Sequence, residues 1–313
     1  IIIICTSSCT RNGEEKKQDR VNKDSTPWFK NISNQSGIDF SYYSGATGKY
    51  YIIETMSGGI SLFDYDNDND LDIYVTQGNN LDSPIDPEIT NQLFKNDGTG
   101  KFTNVTLESN TYDSTYSVGV TTGDYNNDGH IDIYIANYGR NKLLKNNGDG
   151  TFTDKTEFAN VGIEHFSACA SFIDIDNDND LDLFVTNYLD WSIDTAKECF
   201  NQLNRRDYCS PQSYNAAISD TLYLNNGNGT FTDISKISGI TSEKGTGMGI
   251  GAGDVNKDGY TDIFVANDGM KDHLWINQGN NTFINEALIR GCSVDNTGQM
   301  KASMGVALTD IDN

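Results

Sequence analysis

Histidine is nearly missing from this chain: its 313 residues hold three, His130, His165 and His273. No H-E-x-x-H, G-x-S-x-G or P-loop pattern occurs, so the common signatures of metalloprotease, hydrolase and nucleotide chemistry are excluded. Basic residues are also short, with 22 Lys and Arg against 45 Asp and Glu and a net charge of −23. A chain this acidic repels phosphates, which excludes nucleic acid and an anionic membrane surface as partners. Proline numbers four against 30 glycines, a balance that suits short strands joined by tight turns. The isoleucine run that opens the chain is four residues long, too short to span a membrane. Six cysteines are present, at 5, 9, 169, 199, 209 and 292, with no C-x-x-C or Cys/His spacing that would suggest zinc.

The opening IIIICTSSC reads as the end of an export segment, with Cys9 as the residue to be lipidated in a bacterial lipoprotein, although Thr6 stands where a larger apolar residue is usual. The polar stretch to residue 26 reads as a linker. The chain begins without Met and stops inside a motif that four earlier copies complete, so a fragment is expected. Cys199 and Cys209 lie close together in a polar, irregular stretch. In an oxidising compartment that spacing favours a loop disulfide; in the cytosol the two would be free thiols.

What is abundant is repetition. A first element reads SGGISLFD (57–64), SVGVTTGD (117–124), SACASFID (167–174), GMGIGAGD (247–254) and SMGVALTD (303–310). An acidic loop follows: DYDNDNDLD (64–72), DYNNDGHID (124–132), DIDNDNDLD (174–182), DVNKDGYTD (254–262) and the cut copy DIDN. Then come DIYVTQG, DIYIANY, DLFVTNY and DIFVAND, next NQLFKNDG, NKLLKNNG, DTLYLNNG and DHLWINQG, and last KFTNVT, TFTDKT, TFTDIS and TFINEA. Apolar residues alternate with period two in runs of strand length, and the Asn/Gly clusters mark hairpin turns. Each unit is thus four antiparallel strands. The second strand is apolar on both faces, with Ile73 and Val75 pointing one way and Tyr74 the other, so it needs sheets on both sides. The expected fold is an all-β propeller of four-stranded blades over residues 27–313, about four of them complete. Small residues recur at one place in the innermost strand, at Gly59, Gly119, Cys169, Gly249 and Gly305, as crowding near an axis requires. The segment WFKNISNQSGI (28–38) matches the fifth element and its exit, and is expected to add an outer strand to the last blade.

The acidic loop predicts a cation site. Positions 1, 3, 5 and 9 supply side-chain oxygens: Asp64, Asp66, Asp68 and Asp72; Asp124, Asn126, Asp128 and Asp132; Asp174, Asp176, Asp178 and Asp182; Asp254, Asn256, Asp258 and Asp262; and, in the cut copy, Asp310 and Asp312. Position 7 (Asp70, His130, Asp180, Tyr260) would offer its backbone carbonyl. Hard oxygen donors converging from one short loop are what Ca²⁺ requires. An EF-hand is excluded, because its bidentate Glu at position 12 is replaced by Val75, Ile135, Val185 or Val265 inside a strand. A solvated acidic turn would explain one copy, but not four with the same spacing. Calcium is expected to be structural, about one ion per complete loop.

The loops and their flanking strands resemble the FG-GAP (VCBS-type) repeat of integrin α-subunit propellers. WFKNISNQSGIDF, YYIIETMSGGISLFDYDNDNDLDIYV, the NNGDGTFTD turn and CFNQLNRRDYCSPQSY are closer to the cartilage acidic protein family and its bacterial ASPIC/UnbV relatives. The resemblance covers roughly 27–313. It implies a seven-bladed propeller followed by a small C-terminal domain, an extracellular or surface location, and no catalytic residues to carry over.

A ligand is expected on the face opposite the acidic loops. Both hairpins of a four-stranded blade share one end of the sheet, so the long connections (77–91, 107–116, 157–166, 188–219, 235–246 and 287–302) gather at the other. Loops on a rigid scaffold concentrate binding residues. Tyr138, Arg140, His165, Tyr188, Trp191, Arg205, Arg206, Tyr208 and Asp268 are the candidates, set against the plainer possibility that they only plug the ring. The expected function is an exported calcium-binding module for an extracellular protein or glycan. The alternatives are a calcium-dependent polysaccharide lyase or glycosidase using that face, and a purely structural interaction module.

Overall fold

The computed structural model describes residues 29–309. It is almost wholly β, and its strands fall into the four-stranded units of a propeller. The first blade is β1 (Ile60–Phe63), β2 (Asp72–Val75), β3 (Gln92–Asn96) and β4 (Phe102–Asn104). The second is β5 (Tyr116–Gly123), β6 (Asp132–Arg140), β7 (Lys142–Asn146) and β8 (Phe152–Asp154). The third is β9 (Glu164–Ile173) and β10 (Asp182–Asn187), then, after an insertion carrying the small hairpin β11 (Cys199–Phe200) and β12 (Arg206–Asp207), β13 (Thr221–Asn225) and β14 (Phe231–Asp233). The fourth is β15 (Gly247–Gly253), β16 (Asp262–Met270), β17 (His273–Asn277) and β18 (Phe283–Asn285); β19 (Lys301–Ala302) starts the next. Pairing is antiparallel throughout each blade.

The core lies between blades, and the second strand of each makes it. Ile133 and Ile135 turn toward the first blade, packing with Tyr74 and Leu93. Tyr134, between them in sequence, turns toward the third, packing with Leu183 and Val185. Phe184 then faces the fourth blade with Ile263 and Val265, and Phe264 and Ala266 face outward beyond it with Val306. A strand buried on both faces is stable only in such a stack.

The inner strands crowd one another at the expected small residues. A Cβ on Gly119 would fall 2.3 Å from the Ala168 carbonyl oxygen, and one on Gly249 would fall 2.7 Å from that of Met304. Contact that close excludes a side chain. These strands line a cavity of about 440 Å³ bounded by Met56, Gly59, Gly119, Cys169, Met248 and Asp268 among others.

Where the connection after the second strand is short, that strand runs on and joins the next blade. The end of β6 pairs with the start of β9, Tyr138 opposite Phe166 and Arg140 opposite Glu164, so the second and third blades share one eight-stranded sheet. The end of β16 pairs with β19 in the same way. Where an insertion follows instead, the strand stops early. The first and second blades then share the bond from Ser117 N to Gln77 O (3.0 Å), and the third and fourth the isolated bridge Ile218–Gly245.

The last blade, to which residues 28–38 were expected to add a strand, is not among the described residues; here Phe29 is 91% exposed, and residues 29–38 hold only the single-turn α1 (Ser33–Ser36) before Gly37. A Cβ on Gly37 would meet the Phe102 carbonyl oxygen at 2.5 Å, so this segment lies on β4. Its equivalents behave alike, since the carbonyls of Ser109 and Ser238 accept the amides of Phe152 and Phe283 at 2.8 and 2.7 Å. The sequence match to the exit of the fifth element thus holds: the turn covers the next blade's outer strand. Cys9, Asp310 and Asp312 lie outside the described residues.

Candidate metal loops and the opposite face

Each acidic loop is shaped by its own carboxylates. Asp64 accepts the amides of Asp68 (3.1 Å) and Asn69 (2.8 Å), and Asp68 accepts that of Asp70 (3.1 Å). Asp124 accepts the amides of Asp128 and Gly129, Asp174 those of Asn177 and Asn179, and Asp254 those of Lys257, Asp258 and Gly259. Two residues per loop are left-handed. Position 6 is the expected one, at Asn69, Gly129, Asn179 and Gly259; position 4 is the second, at Asn67, Asn127, Asn177 and Lys257. Asn adopts that conformation more readily than other side chains.

The ninth residue anchors the loop to the blade. Asp72, Asp132, Asp182 and Asp262 are at most 1% exposed. Each accepts the amide of loop position 2 with one oxygen and, with the other, the amide of the Asn that ends the third strand; for Asp72 these are Tyr65 (3.1 Å) and Asn96 (2.8 Å). Asp132, Asp182 and Asp262 repeat the pattern with Asn146, Asn225 and Asn277. Burial pushes the Asp72 carboxyl up to about 6 and those of Asp132 and Asp182 to about 7, against the lowering effect of those amide bonds.

The third-strand Asn also braces the neighbouring loop. The side-chain amides of Asn146, Asn225 and Asn277 donate to the carbonyls of Tyr65, Tyr125 and Ile175 in the preceding blade, at 2.7–2.8 Å. Position-4 side chains reach the other way: Asn67 to His130 Nδ1 (2.9 Å), Asn127 to Asp180 Oδ1 (2.7 Å) and Asn177 to the Gly259 carbonyl (2.9 Å). The position-7 side chains Asp70, His130, Asp180 and Tyr260 lie over the outer-hairpin glycines 98, 148, 227 and 279, where a Cβ would approach them within 3 Å. Both hairpins of a blade therefore do share one end of the sheet.

Two loops bring three carboxylates together, Asp64, Asp66 and Asp72, and Asp174, Asp176 and Asp182, each offering an oxygen within 4.8 Å of the others. The second and fourth loops carry Asn126 and Asn256 at position 3. The donor set is all oxygen, which suits a hard divalent cation. In addition, Asp66 Oδ1 and Asp176 Oδ1 are buried without a hydrogen-bond partner, a costly arrangement for a carboxylate unless a cation completes it. Positions 1, 3, 5 and 9 would hold such an ion, which would neutralise the loop's mutual repulsion.

The long connections meet at the other end of the blades. The insertion after β10 folds over an aromatic cluster of Tyr51, Tyr116, Phe166, Tyr188, Trp191 and Tyr214, and Cys199 and Cys209 are bonded within it. Trp191 packs against Tyr51, Tyr138 and Phe166 with ring centroids 5.4–6.2 Å apart. It is 5% exposed and Tyr188 2%, so these two residues, expected as surface anchors, are packing residues here. Arg205, Arg206 and Tyr208 stand above them on the rim. Tyr208 donates to Glu54 (3.0 Å) and stacks edge-on with Tyr50, while Arg206 bonds the Lys49 carbonyl and Glu198. Asp268 accepts the Tyr188 hydroxyl (2.8 Å) at the cavity wall. Arg140 pairs with Glu157, near Gly162, apart from the rim, and His165 sits on β9 opposite Gly139. Residues 49–56 complete this cap and were missed as site residues; the apolar YYII beside Glu54 was the signal available.

A family profile described as FG-GAP-like repeat matches residues 64–135, 124–185, 206–265 and 254–313. The chain belongs to the FG-GAP-like repeat family. The first two FG-GAP matches run from one acidic loop through the next blade's second strand, so the repeat and the loop are one unit. No curated protein matches the chain. Among solved structures that match is one described as the basis of specific recognition of non-reducing terminal N-acetylglucosamine by an Agrocybe aegerita lectin. It is 16% identical with a TM-score of 0.29, over 72% of this chain; the chain spans 64% of that structure's length. At that similarity neither fold nor ligand is carried over.

Proposed function

We propose that this FG-GAP repeat chain is an exported calcium-binding module that recognises an extracellular protein or glycan with its capped face. Ca²⁺ in the four complete loops would hold one end of the blades, and the cap would present the ligand surface at the other. The observation that carries this reading is the cap itself: a disulfide-closed insertion seated on an aromatic cluster, with Arg205 and Tyr208 exposed and Arg206 partly exposed along its rim. Aromatic and Arg side chains held rigidly are the usual anchors of recognition. A bonded cysteine pair favours an oxidising compartment, in keeping with export and with a lipid anchor at Cys9. The closer resemblance to cartilage acidic protein and ASPIC/UnbV relatives is part of the proposal.

No catalysis is included. His130 lies on a metal loop and His165 on β9, while His273 is 2% exposed beside Trp275; they do not converge. No helix among the described residues is long and apolar enough to cross a membrane. Glycan and protein arrays probed with the whole chain in Ca²⁺ test the reading. Arg205→Ala and Tyr208→Phe should weaken whatever binds while calcium occupancy stays unchanged. Binding that survives both, but is lost on changing exposed residues between the acidic loops, would put the ligand on the wrong face for this proposal.

A further inference from the structure

The third and fourth strands of all four blades pair in one register: Lys95 opposite Thr103, Lys145 opposite Thr153, Leu224 opposite Thr232 and Ile276 opposite Ile284. These four side chains thus occupy one structural position. In the first blade the Lys95 ammonium pairs with Asp66 and stands 3.3 Å from Asp68 Oδ2. In the second, Lys145 Nζ lies 2.8 Å from Asp128 Oδ2. Asp66 and Asp68, and Asp128, are loop positions 3 and 5, the side chains that would hold the ion. In the third and fourth blades the same position is apolar: Leu224 packs on the Ile173–Trp275 core and Ile276 is buried with Phe264 and Leu274. Among the described residues, ion pairs to loop carboxylates are made by Lys95 and Lys145 alone.

We infer that the acidic loops form two classes of cation site, with Lys95 and Lys145 as tethered competitors in the first two. The inference rests on the cation reading of the loops given above. An ammonium already seated on ligand carboxylates, two for Lys95 and one for Lys145, neutralises part of the repulsion that otherwise makes the loop need an ion. A divalent cation entering that loop must displace the ammonium or lie beside it, and either costs affinity. Loops one and two are therefore weak sites that keep their shape without metal. Loops three and four are tight sites, since the fourth loop's own Lys257 makes no ion pair with its carboxylates among the described residues. The third is the extreme case: five carboxylates, Asp174 to Asp182, face no lysine, and Asp176 Oδ1 is buried without a hydrogen-bond partner. The chain can then hold two blades in register when Ca²⁺ is scarce and recruit the others as it rises.

The test is calorimetric titration of the chelator-stripped whole chain with Ca²⁺ alone. Two tight and two weak sites are expected, and Asp174→Asn should remove a tight one. Lys95→Gln and Lys145→Gln remove the charge but keep a long polar side chain, and circular dichroism checks their folding. Each should tighten one weak site by roughly tenfold or more, the scale expected on removing a unit charge from about 4 Å of a divalent ion near the surface. Lys95→Leu, copying Leu224, should do the same. Four equal sites, or two classes that the lysine variants leave unmoved, would overturn the inference and leave the cation reading standing. A chain that takes up no Ca²⁺ would overturn both.

Discussion

The side-chain amide of Asn91 donates to the hydroxyl of Ser117, 3.0 Å away, across the boundary between the first and second blades. The same latch joins Asn141 to Ser167 (2.9 Å) and, with the donor reversed, Ser303 to Asp272 (3.0 Å). The acceptor oxygen of each Asn or Asp meanwhile takes the amide of Gln77, Asn137 or Asn267 at 2.7–2.8 Å. All these groups are buried. Asn91→Ala should lower unfolding free energy by about 1–3 kcal/mol, the cost of stranding a buried amide, and Ser117→Ala by less. Denaturant titration of both singles and the double mutant should show coupling; additive losses would mean no latch.

At the third boundary the latch residue is Asp220, and its neighbour in the next blade is Gly247, without a hydroxyl. Burial raises the Asp220 carboxyl to about 7 against a single amide bond from Asn187. A carboxyl raised on folding contributes stability that is full below its unfolded value, near 4, and is lost as pH climbs through about 7. Asp220→Asn restores the residue type the first two blades carry. It should flatten that slope and gain on the order of 3 kcal/mol above pH 8. Melting temperatures from pH 4 to 8.5 decide it; parallel curves for the two proteins would show that Asp220 is ionised throughout.

Lys257 holds a left-handed backbone at φ 65°, where the other loops have Asn. Lys257→Asn should stabilise the fourth loop by roughly 0.5–1 kcal/mol by relieving that conformation. The melting point in Ca²⁺ should rise slightly and never fall.

Chelation should lower the melting temperature by several degrees and Ca²⁺ should restore it, because an ion bound only by the folded loops stabilises them by mass action. Asp66→Ala should weaken its own site chiefly. Identical melts with and without chelator would sink a structural role for calcium.

Replacing Cys199 and Cys209 together by Ser reopens a loop whose closure is worth roughly 2–3 kcal/mol in the chain-entropy model. The loss should appear as faster amide exchange in the cap, with the blades protected as before. Trp191→Ala should loosen the same region, since it empties the middle of the aromatic cluster.

The propeller and its loops were legible because their chemistry is local. The spacing from Asp64 to Asp72 puts the ligands in one turn, and Ile73, Tyr74 and Val75 state by alternation that both faces of β2 are covered. What sequence could not supply is long-range packing. Trp191 reads as an exposed anchor until Tyr51, 140 positions earlier in the chain, is seen beside it. The match of 29–38 to 232–240 was legible in part: the turn around Gly37 repeats that around Gly239, while a strand before Gly37 needs the edge of a blade that lies far off in sequence. Lys95 and Lys145 were visible in the aligned NQLFKNDG and NKLLKNNG, but their meaning needs the register that sets them over Asp66 and Asp128.

The unequal joints between blades have a mechanical consequence. Between the second and third blades a tensile load along the arc is carried by a hydrogen-bonded fabric that runs unbroken from β8 to β14. Between the first and second, the 77–91 excursion leaves separate backbone bonds in place of a ladder, among them Ser117 to Gln77 and Phe152 to Ser109. A pull on this chain should therefore part the joints on either side of that fabric first, so that the second and third blades come away together.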